Sequence, residues 1–357
     1  MTADGWTLGL QRIPGRQNES TAYTAPKPYH KQPVILWHGL SLSSEVFVCH
    51  VQPSMNLAFV LADSGFDVWL ANTRGNKYST NHATFKKGTP EYWNFGIDEM
   101  ARYDVVSVVD YVLDQTGHER CVYIGYSQGS AIAFAALSLC TDLNHKISAF
   151  VGVAPVVYPE KFHIPIVSSL ASKLRPSVFF KMLGSNEFLP IAHFLKRVLS
   201  PDAYATIIAK ALEFLFGWKC NSFGNVNRKT CLFSHIISNT SIKTYIHWFQ
   251  VMQDSCLNSF RDNHHQYPLL FDVINFPHTK AVSRIDTHKY PTKLITTKIF
   301  LFCGGLDPMS NYPEIGLNLP EHAKIDCIEG YSHIDLIWSE NAQKDFWNTL
   351  VDAIKSE

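Results

Sequence analysis

The stretch from Cys121 to Leu137 constrains the fold of this chain more than any other. Cys121-Val122-Tyr123-Ile124 is apolar and β-rich, Gly125-Tyr126-Ser127-Gln128-Gly129 follows, and Ser130-Ala131-Ile132-Ala133-Phe134-Ala135-Ala136-Leu137 has helical character. A buried strand, a tight turn and a helix in succession form one unit of a mainly parallel sheet. The turn reads G-x-S-x-G, and between a strand and a helix it sets the serine on a strained elbow with its Oγ above the sheet edge. The flanking glycines let the backbone approach closely. A bare G-x-S-x-G arises by chance in about one chain of this length in ten. The strand and helix around it, more than the five letters, point to a nucleophilic serine.

Periodicity elsewhere fits the same architecture. Trp6 to Ile13 reads as an edge strand, Val34 to Trp37 as a buried strand, Met55 to Ser64 as a helix and Asp67 to Ala71 as a strand. Residues 98–116 repeat apolar positions at helical spacing and stop at Gly117; Ala149 to Val153 is a further strand. From Pro155 to about Pro291, prolines, aromatics and amphipathic helices such as Ile191 to Leu199 and Ala203 to Phe216 replace strands. Strands return at Lys298 to Phe302 and Ala323 to Ile328. The expected fold class is α/β: a mainly parallel sheet with helices on both faces and an inserted helical cap over the strand carboxyl ends. The expected division is a core of residues 1–154 and 291–357, with residues 155–290 as the cap and lid.

A serine hydroxyl needs a neutral imidazole to take its proton and a carboxylate to orient that imidazole. Gly304-Gly305-Leu306-Asp307-Pro308 lies directly beyond the strand ending at Phe302, and Gly330-Tyr331-Ser332-His333 beyond the strand ending near Ile328. An Asp after a strand is often only a turn residue, and the chain has 16 histidines, so each alone says little. An acid and a base at successive strand ends after an elbow make Ser127, Asp307 and His333 the candidate catalytic set. Asp335 is the nearest rival acid and is expected to cap the following turn; Glu160 is a weaker rival. The backbone N–H groups of Gln128, after the serine, and Leu40, in the loop His38-Gly39-Leu40, are the candidate oxyanion donors. His38 is expected to hold that loop by hydrogen bonds.

Lys plus Arg and Asp plus Glu both number 31, so no charge surplus favours nucleic acid or an anionic membrane. The eight cysteines show no zinc spacing, and the chemistry requires neither metal nor organic cofactor. Cys220 and Cys231 would close a short loop if they bridged, and the sequons at Asn18 and Asn239 would matter only in a secreted protein. No apolar run is long enough to span a bilayer and no signal sequence is evident, so a soluble or peripheral protein is expected. Met1 to Leu10 enters a strand almost at once, which leaves room for an upstream segment.

Asp4-Gly5-Trp6 with Arg12-Ile13-Pro14, Leu36-Trp37-His38-Gly39-Leu40, and the run from Ala62 through Asn72-Thr73-Arg74-Gly75-Asn76 resemble the acid lipase family of α/β-hydrolases. That family includes gastric and lysosomal acid lipases and the fungal steryl ester hydrolases. Asp98 to Asp104, the elbow, His247-Trp248-Phe249-Gln250, Gly304 to Asp307 and His333 to Trp338 extend the resemblance over nearly the whole chain. The elbow and His-Trp-Phe-Gln are most similar to the fungal members. The resemblance implies a nucleophile at Ser127, an acid at Asp307, a base at His333, and oxyanion donors at Leu40 and Gln128. It further implies hydrolysis of steryl esters or triacylglycerols at a lipid–water interface, on a lipid droplet or as a peripheral membrane protein. An acyltransferase with the same triad, and an inactive lipid-binding module, are the alternatives. The stretch Ile207 to Trp218 is apolar around most of a helix, and reads either as a packed cap helix or as a lid that meets lipid.

Overall fold

Strands that are apolar at consecutive positions must be covered on both faces. The computed structural model describes residues 1–16, 19, 29–160, 184, 187, 190–218, 226–235, 237–261 and 288–357. Seven strands form one sheet: β1 Leu10–Ile13, β2 Pro33–Trp37, β3 Asp67–Ala71, β4 Cys121–Tyr126, β5 Ile147–Val153, β6 Lys298–Gly304 and β7 Lys324–Ile328. Their spatial order is β1-β3-β2-β4-β5-β6-β7, and all pairs are parallel except β1 with β3. The main helices are α1 Leu57–Asp63, α2 Val106–Thr116, α3 Gln128–Leu139, α4 Pro190–Val198, α5 Pro201–Phe216, α6 Val226–His235, α7 Ile242–Asp254 and α8 Asn348–Lys355.

Alternate strand residues supply two separate cores. Ile35, Trp37, Tyr123 and Phe150 pack on one face with Val109 and Val112 of α2 and Phe134 of α3. Val34, Leu36, Ile124 and Val151 pack on the other with Leu61 of α1 and Leu350 and Ile354 of α8. The expected α/β class is therefore the observed one, with two differences in detail. The single edge strand expected over Trp6 to Ile13 is broken: Trp6–Thr7 pairs with Asn81–His82 in a separate ribbon, and only Leu10–Ile13 joins the sheet. The break falls at Gly9, where a Cβ would lie 2.5 Å from the Tyr78 carbonyl oxygen. The helix expected over residues 98–116 opens with an α turn at Ile97–Glu99, widens into π turns from Met100 to Val105, and is regular again from Val106.

Those wide turns carry Asp104, which accepts from Arg74 Nε at 2.9 Å and Nη2 at 2.6 Å. Both side chains are almost completely buried, and burial pushes the Asp104 carboxyl up against the lowering effect of the guanidinium. Arg74→Leu would leave that carboxylate without its counter-charge. The expected loss is about 3–5 kcal/mol in urea unfolding; a loss below about 1 kcal/mol, the level of a solvated pair, would contradict this assignment.

β5 and β6 pair directly, from Ala149 with Lys298 to Val153 with Phe302, so the chain between them leaves and re-enters the sheet at one place. Helices α4 to α7 lie in that excursion. Helix α6, Ser238 and helix α7 are bound to the sheet layers by polar contacts: Arg228 Nη2 donates to the Trp338 carbonyl at 3.0 Å, Ser238 N to Ser41 O at 2.8 Å, and Trp248 Nε1 to Gln128 Oε1 at 2.7 Å. Helix α5 is held differently. Asp202 in its first turn accepts from Thr230 of α6 at 2.6 Å, whereas Ala205, Ile208, Leu212 and Phe216 pack inward on the second core. Ile207, Phe214 and Leu215 face outward and are exposed. The seven described cysteines are free, including Cys231; Cys220, its expected partner, lies outside the described residues.

Candidate active site

β2 and β4 are neighbours, but the chain runs from β2 outward to β3 on one side and from β4 to β5 on the other. This divergence opens a crevice at the strand carboxyl ends, where open α/β sheets place their sites. Ser127 follows β4 at φ +53°, ψ −117°, a conformation that side-chain-bearing residues adopt only when the surroundings impose it. Its N–H donates to Val153 O at 2.9 Å, and its carbonyl accepts from Ser130 N at 2.9 Å. The motif glycines are dictated by contact. A Cβ on Gly125 would lie 2.5 Å from the Gly129 carbonyl, and one on Gly129 would lie 2.3 Å from the Trp37 carbonyl oxygen.

The acid and base loops leave the adjacent strands β6 and β7 and are joined by backbone. Gly305 N donates to Ile328 O at 3.0 Å and Leu306 N to Tyr331 O at 2.9 Å. At Gly304 a Cβ would come within 2.4 Å of Tyr331 O. The result is a continuous line: His333 Nδ1–H donates to Asp307 Oδ2 at 2.6 Å, and the Ser127 hydroxyl donates to His333 Nε2 at 2.8 Å. A carboxylate only accepts, so the imidazole proton sits on Nδ1 and Nε2 is free to receive. Met309 N–H donates to the other Asp307 oxygen at 3.0 Å. The structure thus brings together the serine, acid and base expected from sequence, and leaves the rival acids aside. Asp335 accepts from Ser332 N at 2.8 Å and Ser332 Oγ at 2.6 Å, and Glu160 makes no hydrogen bond to His333.

The loop after β2 passes against the serine: a Cβ on Gly39 would lie 3.1 Å from Ser127 Cβ. His38 Nε2 accepts from Thr73 N and Asn76 Nδ2, both at 3.1 Å, so its Nδ1–H donates to Gly39 O at 2.8 Å. The Gly39 carbonyl and the Leu40 N–H belong to one planar peptide and point in opposite directions. This bond therefore fixes the aim of the Leu40 amide. Gln128 heads α3 and has no intrahelical acceptor; among the described residues, neither its N–H nor that of Leu40 has a hydrogen-bond acceptor.

Burial pushes the His38 imidazole down to about 4. The unfolded chain binds this proton near pH 6.5 and the folded chain does not, so stability is full above pH 6.5 and falls on acidification toward pH 4. The expected contribution of His38 to that fall is roughly 3 kcal/mol at most. Urea unfolding at pH 7 and pH 4.5 should show a smaller difference in His38→Asn than in the parent; equal differences would contradict the neutral, buried imidazole.

Two aromatic contacts were not legible in the sequence. Trp248, in His-Trp-Phe-Gln, grips the Gln128 side chain. Trp218, beyond α5, lies parallel to the His333 ring with centroids 4.3 Å apart. Among the described residues no group of three or more His, Cys, Asp or Glu is placed to hold a metal ion, and no helix is long and apolar enough to cross a membrane.

A sequence model of the α/β-hydrolase fold matches residues 32–213, and one of a partial α/β-hydrolase lipase region matches residues 1–51. A Schizosaccharomyces pombe protein named as a probable lipase is 36% identical over 97% of the chain and 70% of its own length. Human lipase member K is 32% identical over 98% of the chain and 85% of its own length. The chain belongs to the acid lipase family of α/β-hydrolases. Membership makes it a carboxylic ester hydrolase. Human gastric triacylglycerol lipase, 30% identical, aligns over 100% of this chain and 87% of its own length, so the alignment spans the excursion between β5 and β6. Solved structures speak to the fold alone. A carboxylesterase from Nitrososphaera gargenis superposes with a TM-score of 0.54 at 12% identity, covering 99% of this chain and 97% of its own. An epoxide hydrolase from Vigna radiata gives 0.52 at 13% identity, covering 100% and 98%.

Proposed function

We propose that this acid lipase family member hydrolyses long-chain fatty acid esters through an acyl-enzyme on Ser127. The observation that carries the reading is the line from Asp307 through His333 to Ser127, at 2.6 and 2.8 Å, beside two backbone amides with no acceptor among the described residues. Ser127 Oγ attacks the ester carbonyl while His333 Nε2 takes its proton. Asp307 stabilises the imidazolium, and the Leu40 and Gln128 amides receive the oxyanion. Collapse of the tetrahedral species breaks the bond to the alcohol, which leaves with the proton from His333. Water then gives a proton to Nε2 and attacks the acyl carbonyl, and the proton returns to Ser127 as the fatty acid departs.

Residues 1–154 and 291–357 act as the catalytic core and residues 155–290 as its cap. The outward apolar residues of α4 and α5, Phe194, Val198, Ile207, Phe214 and Leu215, suit contact with a lipid surface. They support action as a peripheral protein on a membrane or lipid droplet. Similarity of the elbow to the fungal members puts steryl esters first and triacylglycerols second. A panel of cholesteryl oleate, trioleoylglycerol and a short-chain ester tests this: cholesteryl oleate should be cleaved fastest. A clear preference for the short ester would contradict the long-chain reading while sparing the serine mechanism.

A further inference from the structure

We propose that Trp218 is a positioning residue for the imidazole of His333, a role that rests on the acyl-transfer reading above. His333 makes two hydrogen bonds, from Nδ1 to Asp307 and at Nε2 with Ser127. Hydrogen bonds weaken only gradually with misalignment, so they resist tilting of the ring out of its plane only weakly. The Trp218 indole adds a restraint against that tilt, lying 4.3 Å from the imidazole at an interplanar angle of 3°. Tyr126 also flanks the imidazole, at 5.5 Å and 44°.

The chain around Trp218 builds this contact. Gly217, at φ +72°, ends α5 in the left-handed conformation and turns the next residue back toward the core. Phe216 stacks on the same indole at 4.5 Å and 21°. His333 is only 3% exposed, whereas Ser127 keeps partial exposure. The indole thus seals the base without burying the nucleophile, as a positioning contact requires and a blocking one would not. During acylation the imidazole gains a positive charge, which the electron-rich indole face also favours.

The test combines a spectroscopic and a kinetic readout on the full chain. In protein labelled at histidine Cε1, the His333 signal is assigned by its loss in His333→Gln. It should be shifted upfield by the indole ring current, relax toward the ordinary position in Trp218→Leu, and remain shifted in Trp218→Phe. With a soluble short-chain ester, Trp218→Leu should lower kcat by about 3- to 30-fold with little change in KM, and Trp218→Phe should recover most of it. An unshifted His333 signal in the parent overturns the proposal whether or not the leucine variant folds. Unchanged or raised kcat in folded Trp218→Leu also overturns it. Failure of the acyl-transfer reading is seen separately, as hydrolysis surviving in Ser127→Ala, and the His333 signal can be recorded in that variant too.

Discussion

Ser127→Ala is expected to lower kcat for ester hydrolysis by about 10⁴- to 10⁶-fold, the scale on which loss of a nucleophile removes triad catalysis. The fold should be retained, because the elbow is held by backbone: Ser127 N to Val153 O, and Ser127 O from Ser130 N and Ala131 N. None of these bonds uses the hydroxyl. The Ser127 Oγ has His333 Nε2 as its partner at 2.8 Å, and an alanine would leave that nitrogen to water in a partly open site. Unfolding midpoints should therefore stay close to the parent. A variant retaining a tenth of the parent rate with an intact fold would remove Ser127 from the mechanism.

Asp307→Asn should cost about 10⁴-fold in kcat with KM changed only a few-fold, through the wrong tautomer and not through lost packing. Met309 N–H donates to one Asp307 oxygen at 3.0 Å, so an asparagine would keep its carbonyl there and turn its NH₂ toward His333 Nδ1. That nitrogen would then have to accept, the imidazole proton would move to Nε2, and the Ser127 proton would have nowhere to go. Asp335→Asn is the matched control. Its carboxylate is engaged by Ser332 N and Oγ, so kcat should stay within about tenfold of the parent, the cost of a small loop disturbance. If the two variants exchanged these effects, the acid would be Asp335.

The placement of the candidate serine, acid and base at strand ends was legible in the sequence; contacts across the fold were not. The elbow could be read because Gly125 and Gly129 stand where any Cβ would strike the Gly129 and Trp37 carbonyls. Asp307 and His333 could be read because each follows a strand, and parallel neighbours deliver their loops to the same edge. His38 was legible as a loop holder, though its partners Thr73 and Asn76 were not. The split at Gly9 escaped because the carbonyl it avoids belongs to Tyr78, far along the chain. Trp218 and Trp248 escaped for the same reason. In a chain with many aromatics, nothing local distinguishes a ring that fills a core from one that lies on the imidazole or grips the Gln128 side chain.

The most direct test of the acyl-transfer site is to trap the intermediate. The purified chain is mixed with a long-chain nitrophenyl ester, quenched in acid during turnover and mapped by peptide mass. The acyl group should be found on the peptide containing Ser127 and on no other, and it should disappear as substrate is exhausted. Sustained hydrolysis with the Ser127 peptide unmodified, or with the acyl group on another residue, would contradict the account.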